Sequence, residues 1–199
     1  MNLSREEKFQ RILDAAIESI AECGYHSCQV AKIARKAGVA GGTIYLYFKN
    51  KEEILIRLFQ ERMGQFTAQV REQLRDCPDT RCKLKTIMQA HLEYMEKNRS
   101  LAIVTQLELR QLNLLIRQSI TAPLLDYFNL IEEVIREGLA RQDLVVTNVS
   151  AARQLVFGTL DQATTDWILA PASGSLINQG ESLLFLIEGA LRLKTADNI

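Results

Sequence analysis

Apolar residues recur three and four apart along almost all of the 199-residue chain, the spacing of a buried helical stripe. No run alternates with period two, so no strand is predicted. Residues 4–23 carry the first stripe, Phe9, Ile12, Leu13, Ala16, Ile17, Ile20 and Ala21, and Gly24 ends it. A short second helix at 29–37 puts Val30, Ile33, Ala34 and Ala37 on one face and stops at Gly38. A third covers 41–48. Asn50 reads as an N-cap, with Glu52 and Glu53 in the following turn, where acidic side chains suit the helix dipole. The fourth helix, 51–75, has Leu55, Leu58, Phe59, Met63, Phe66, Val70 and Leu74 as its stripe and breaks at 76–79. The fifth spans 80–97, with Leu84, Ile87, Met88, His91, Tyr94 and Met95 inward. The sixth, 101–111, runs nearly unbroken into a seventh, 112–141, where Pro123 predicts either a kink or a restart with Thr121 as cap. Asn148 caps an eighth at 149–170, which Pro171 stops, and a ninth covers 177–194. Nine helices without strands define an all-α fold.

The composition agrees with long helices: 47% hydrophobic residues, 24% charged, and few breakers, with three prolines and ten glycines. No apolar run approaches the roughly 18 to 20 residues that span a bilayer, and residues 1–8 are polar and charged, so a cytoplasmic protein is expected, with no membrane partner. Formal net charge is zero, but its distribution is uneven: residues 23–51 contain no Asp or Glu, while Lys32, Arg35, Lys36, Lys49 and Lys51 are basic. Such a window suits an anionic partner or, more simply, a solvated face. The cysteines fall as Cys23-x4-Cys28 and Cys77-x4-Cys82, a spacing at the edge of zinc patterns and without His partners nearby, so no metal is expected.

The second and third helices, joined across Gly38-Val39-Ala40, have the geometry of a helix-turn-helix, with Ile33, Ala34, Val39 and Ile44 as its interior. The third helix would enter a major groove. Gly41, Gly42 and Thr43 at its start are small enough for close approach to bases or phosphates. Around them Gln29, Lys32, Lys36, Ala40, Tyr45, Leu46, Tyr47, Lys49 and Lys51 complete the candidate DNA face. Two copies of the five basic residues offer cations for about six to eight phosphates, a log–log salt slope of roughly −5 to −7.

These residues also carry a resemblance. Ile33-Ala34, Ala37-Gly38-Val39, Gly42-Thr43-Ile44-Tyr45-Leu46-Tyr47-Phe48 and Asn50-Lys51-Glu52-Glu53-Ile54 resemble, in register, the signature of the tetracycline-repressor (TetR) family. The chain departs from it at Ala40, where a capping Ser is usual, and at Gln29, where Thr or Ser is usual. The resemblance implies nine helices, a homodimer on a two-fold symmetric DNA operator, and repression relieved by a small ligand. It divides the chain into a DNA-binding domain, 1–50, and a ligand-binding and dimerisation domain, 51–199. Further segments, Gly24-Tyr25-His26, Met63-Gly64-Gln65-Phe66, residues 101–111 and Phe157-Gly158-Thr159, are similar to the FadR-type branch, whose members respond to acyl-CoA and repress fatty-acid degradation. Long-chain acyl-CoA is then the expected effector, as a regulatory ligand and not a cofactor.

An acyl-CoA site needs apolar lining and cations. Phe59, Met63, Phe66, Tyr94, Val104, Leu107, Tyr127, Ile131, Phe157, Leu160 and Trp167 are candidates for the lining, although such stripes are also what any helical bundle buries. Arg99, Arg110 and Arg117 are candidates for phosphates, with salt-bridged surface arginines as the plainer alternative, and Gln106 lies in a polar stretch suited to a thioester or amide. His91 reads as a hydrogen-bonded core histidine. Asp161 and Asp166, five apart, do not share a helix face, and no catalytic or nucleotide-binding motif is present, so no enzyme is expected. The eighth and ninth helices are apolar on more than one face, which suits a homodimer through the last two helices. Two other readings stay open: a TetR-type repressor induced by an apolar cation or drug, and a helical acyl-CoA or lipid carrier.

Overall fold

The computed structural model describes residues 4–111, 118–170 and 174–193. Nine α-helices lie among the described residues, with no strand. They are α1 (Arg5–Cys23), α2 (Val30–Ala37), α3 (Gly41–Ile44), α4 (Lys51–Gln73), α5 (Thr80–Lys97), α6 (Arg99–Ile103), α7 (Thr121–Ala140), α8 (Val149–Leu169) and α9 (Gly180–Leu191). Their contacts fall into two compact units, Met1–Arg62 with Arg99–Pro123, and Met63–Asn98 with Leu124–Ile199.

The first unit begins with a capping box. The Ser4 hydroxyl accepts from Glu7 N–H at 3.1 Å, and the Glu7 carboxylate accepts from Ser4 N–H at 2.7 Å. α1 then lays Ile12, Leu13, Ala16 and Ile20 into a core shared with Ile33, Ala34, Ile44, Phe48, Leu55 and Leu58. α2 ends at Gly38, whose φ of +67° is the left-handed conformation that a side chain resists; Val39 N–H reaches back to Ala34 C=O at 3.0 Å. The tight turn lets α3 start three residues later. Asn50 caps α4 by accepting from Glu53 N–H at 2.8 Å. Glu53 in turn accepts from Lys49 N–H at 2.7 Å, one residue earlier than a strict capping box.

Three elements differ from the periodicity. α3 is one turn long, and residues 45–48 continue it as turns, with three-residue bonds from Leu46 N–H to Thr43 C=O at 3.1 Å and Tyr47 N–H to Ile44 C=O at 3.0 Å and one four-residue bond from Phe48 N–H to Ile44 C=O at 3.0 Å. α6 leaves the α conformation after Ile103, widens into a π turn at Val104–Glu108 and tightens into a 3-10 turn at Leu109–Gln111. At Pro123 the chain restarts: α7 begins at Thr121, placing the proline in the first turn, where its missing N–H costs no helical bond.

In the second unit, Asp79 caps α5 by accepting from Cys82 N–H at 2.7 Å, and Asn148 caps α8 by accepting from Ala151 N–H at 2.9 Å. The core joins Phe66, Val70, Leu84, Ile87, Met88, Leu92, Ile131, Ile135, Val156, Leu160, Leu184 and Ile187. Gly138 of α7 sits where two neighbours meet the backbone. A Cβ there would lie 2.6 Å from Thr80 Cγ2 and 2.8 Å from Leu144 Cδ2. Thr80 is itself pinned, its hydroxyl donating to Asp143 at 2.6 Å. Gly138→Ala should therefore cost about 1–3 kcal/mol of stability, despite alanine's better helix propensity. Urea unfolding checks this; a gain in stability would mean that Leu144 and Thr80 give way freely.

Candidate nucleic-acid interface and effector core

The short third helix is anchored from beneath. Ile44 and Phe48 are buried, four residues apart, which turns the positions between and before them outward. Tyr45 is 60% exposed and Leu46 74%. Nothing lies within 4 Å of where a Cβ would stand on Gly41 or Gly42. Ala40 and Gln29 are N-caps whose side chains make no capping bond, and both are exposed. Thr43 and Tyr47 are half-buried, with the Arg5 guanidinium 5.9 Å from the Tyr47 ring. Gly41, Gly42, Thr43, Tyr45 and Leu46 thus form a small, open, mostly uncharged ridge.

The cations around it have different roles from one another. Lys32 pairs with Glu22 at 2.9 Å, and Lys36 with Glu18 at 2.9 Å and also with Glu22. Hydrogen bonds from Lys36 and then Lys32 pull the Glu22 carboxyl down to about 2, so it is ionised at any working pH. These are surface pairs and stabilise the fold little, but they partly neutralise α2. Arg35 and Lys49 are exposed and form no ion pair among the described residues.

Lys51 points inward. Its ammonium donates to the carbonyls of Tyr25 at 2.7 Å, Cys28 at 3.1 Å and His26 at 3.2 Å, and lies 4.5 Å from the centroid of the Tyr25 ring. All three N–H groups are committed to the loop between α1 and α2, so Lys51 braces the loop that leads to the candidate DNA face. Glu108, at the end of the π turn, holds the same loop by accepting from Tyr25 N–H at 2.7 Å. The sequence reading missed this use of Glu108 and the pairing of Glu18 and Glu22, because their partners lie far off along the chain.

The candidate effector residues divide between the units. In the first, Phe59, Val104 and Gln106 are buried, Leu107 is half-buried, and Arg99 and Arg110 are exposed. Arg110 donates to Gln106 at 2.7 Å. Arg117 lies outside the described residues. In the second, Met63, Phe66, Tyr127, Ile131, Leu160 and Trp167 are buried, and Tyr94 and Phe157 are half-buried. Phe66 stands at the centre of an aromatic cluster, 4.7 Å from Tyr94 and 5.3 Å from Tyr127 between centroids, and Phe157 is 6.2 Å from Tyr127. Trp167 is tied elsewhere, its indole N–H donating to Gly174 C=O at 3.0 Å.

His91 is in the same cluster, its Nδ1 3.2 Å from the Tyr127 hydroxyl, as expected of a hydrogen-bonded core histidine. Burial pushes its pKa down to about 4, against a smaller upward pull from Asp161. Burial also pushes the Tyr127 phenol up. The cysteines are free thiols, with Cys28 raised to about 11 by burial and by neighbouring Cys23. No group of three or more metal-binding side chains occurs among the described residues.

Comparison with known proteins covers both units. The family model for bacterial regulatory proteins of the tetR family matches residues 12–58, and that for the YsiA-like protein C-terminal region matches residues 59–190. The fatty acid metabolism regulator protein of Bacillus subtilis (strain 168) is 43% identical over 191 residues, 96% of this chain and 98% of that protein. The crystal structure of the transcriptional regulator FadR from Bacillus subtilis in complex with stearoyl-CoA superposes with a TM-score of 0.87 at 44% identity, covering 90% of this chain and 97% of that one. The fatty acid degradation regulator FadR from Bacillus halodurans gives 0.88 at 43% identity, covering 92% and 100%.

Two outcomes follow from the geometry. Lys51→Met strands three carbonyls and should cost about 1–3 kcal/mol, lowering the melting temperature and weakening binding to all DNA sequences alike. An unchanged melting temperature with weakened binding would return Lys51 to a phosphate role. For His91, the unfolded chain takes up its proton near pH 6.5 and the folded chain only near 4. The folded state is thus fully favoured above pH 6.5 and loses about 3 kcal/mol as pH falls toward 4. His91→Phe should flatten that part of the pH–stability curve in urea titrations.

Proposed function

The chain belongs to the TetR family of bacterial regulatory proteins, and on that premise we propose that it is a homodimeric repressor of fatty-acid-degradation genes that leaves its operator when long-chain acyl-CoA binds. The observation that carries the effector is the full-length match. Ligand domains of such regulators diverge, yet the similarity to the fatty acid metabolism regulator runs through 96% of the chain. The solved relative with stearoyl-CoA supports the same ligand class here. Residues 1–50 would read DNA, and the remainder would bind the effector and the second subunit. Among the described residues no helix is long and apolar enough to cross a membrane, in keeping with work on DNA in the cytoplasm.

The chemistry of the chain agrees. The aromatic cluster around Phe66 would receive the acyl tail. At about 0.8 kcal/mol per buried methylene, a chain of a dozen or more carbons offers on the order of 10 kcal/mol before costs. Moving a two-state dimer from 1:99 to 99:1 needs a differential of about 5.5 kcal/mol. One helix, α4, carries both Lys51, which holds the loop before α2, and Phe66. A cationic inducer would need carboxylates facing aromatic rings; of the two candidates, Glu108 is committed to Tyr25 N–H, while the charge of Asp161 is felt at the His91 ring, so the release test below includes an apolar cation. The last two helices support dimerisation: Leu155 is 38% exposed, Phe185 75% and Leu186 63%, and a groove of about 540 Å³ between them joins Leu155, Gly158, Ala163 and Leu183 with the polar Gln154, Thr159, Gln162, Asp166 and Gln179. Leu184, Ile187 and Leu191 of the same helix face inward and belong to the subunit's own core.

The test is release of an operator selected from random DNA, followed by fluorescence anisotropy. Stearoyl-CoA should dissociate the complex and free CoA should not; dissociation by an apolar cation, with acyl-CoA inert, would replace this reading by the drug-sensor one. The salt dependence should be shallower than the basic window suggests. With Lys32 and Lys36 paired and Lys51 turned inward, Arg35 and Lys49 of two protomers give a log–log slope of roughly −4. Glu22→Gln frees Lys32, while Lys36 keeps Glu18, and should steepen the slope toward roughly −5. A slope that Glu22→Gln leaves unchanged would mean that the ion pairs already open on DNA.

A further inference from the structure

Among the described residues of the second unit, four buried side-chain atoms lack a hydrogen-bond partner: Thr67 Oγ1, His91 Nε2, and Arg153 Nε and Glu188 Oε1, which stand in ion pairs; His91 Nε2 is the one set among aromatic rings. His91 is 2% exposed, and the rings of Phe66, Tyr127 and Phe157 stand around it at 6.1, 5.9 and 6.3 Å between centroids. Its Nδ1 is matched with the Tyr127 hydroxyl, but Nε2 is buried with no hydrogen-bonding atom in reach among the described residues. Buried polar atoms in folded proteins are nearly always paired, so an orphan at this depth calls for a partner that arrives from outside the chain.

What that partner must be follows from the proton. Burial keeps the imidazole neutral and the Tyr127 phenol protonated, and a neutral imidazole has one N–H and one acceptor nitrogen. The phenol has no other hydrogen-bond partner among the described residues, so the tautomer that leaves its O–H satisfied has it donate to Nδ1, which places the ring proton on Nε2. Nε2–H is therefore a lone donor in an enclosure of aromatic rings. Its complement is an oxygen acceptor on an otherwise apolar molecule. The Asp161 charge is felt at this ring, so a carboxylate would be repelled there and a neutral carbonyl would not. A recess of about 70 Å³ between α4 and α5 shares Phe66 and Tyr94 with the cluster, so the rings are not sealed from the surface.

We propose that His91 Nε2–H donates a hydrogen bond to the thioester carbonyl oxygen of the bound acyl-CoA, and so separates an acyl thioester from a thioether or a free fatty acid of the same length. The inference rests on the acyl-CoA reading above and names the residue that makes it selective. An oxygen further along the chain offers the same chemistry, and the ligands below separate the two sources.

Binding of stearoyl-CoA, S-octadecyl-CoA, S-(2-oxooctadecyl)-CoA and stearate is measured by calorimetry on the full chain, with His91→Phe and His91→Gln beside the native protein. S-octadecyl-CoA keeps the tail and the CoA and lacks the carbonyl. The native protein should bind stearoyl-CoA about three- to tenfold more tightly than this thioether, the worth of one hydrogen bond. Stearate should bind more weakly than either. His91→Phe should make thioester and thioether equal, and His91→Gln, whose amide keeps a donor, should restore part of the preference. The His91 Nε2 resonance in a nitrogen-15 spectrum should move with the thioester and not with the thioether. Equal binding of thioester and thioether by the native protein overturns the proposal while leaving acyl-CoA as effector. A preference for S-(2-oxooctadecyl)-CoA over stearoyl-CoA also overturns it, by moving the contact along the chain. Failure of every CoA ligand to bind overturns the effector reading itself, and this inference with it.

Discussion

Three backbone carbonyls in the loop between α1 and α2 converge on one point, and a single ammonium meets all of them. That loop sets where α2 begins, α2 sets the Gly38 turn, and the turn sets α3. The placing of α2 and α3 thus depends on Lys51, whose ammonium is spent on the chain's own carbonyls. Carbonyls left without donors in a partly buried loop would be costly, and water reaches such a site poorly. Glu108 completes the arrangement from the other side by taking the one N–H of the loop that faces it. A cation and an anion, each from a different helix, here act on dipoles of the chain and not on each other.

The rest of the first unit shows how local and distant information differ. The helix-turn-helix was legible because its determinants are neighbours: Ile33, Ala34 and Ile44 fall on helical spacing, and Gly38 supplies the conformation the turn requires. The pairing of two lysines of the basic window was not legible, for the opposite reason. Residues 23–51 contain no acid, yet Glu18 and Glu22 stand just before that window, on the helix against which α2 packs. Lys51 follows a capping Asn and precedes two acids, the context of an ordinary surface lysine, and nothing within ten residues of it names its partners. The π turn at Val104–Glu108 was illegible too, since one extra residue in a turn disturbs apolar spacing too little to be read.

In the second unit the sequence marked the stripe of apolar side chains but not which of them meet. Phe66, Tyr127 and Phe157 come from three helices widely separated along the chain, and only packing brings their rings together. Trp167, equally apolar and on the same helix as Phe157, is drawn off by one indole hydrogen bond. His91 looked like core and is core, but the useful fact about it is the nitrogen that the core leaves unmatched. Apolar spacing can say that a position is buried; it cannot say whether both ends of a polar ring are satisfied.

The third helix is a single turn, far too short to hold itself together, and it stands because Ile44 and Phe48 are buried beneath it. The positions that look outward contribute little to that anchoring: a side chain on Gly41 or Gly42 would point into open space, and Tyr45 and Leu46 are mostly bare. Anchoring and exposure therefore fall to different residues of the same turn, and under the proposed function the exposed set would do the reading. Selection can redraft the outward set without first repairing the fold, so a lineage carrying this scaffold is free to drift from one operator to another, its recognition evolving almost as if it were written on a separate molecule.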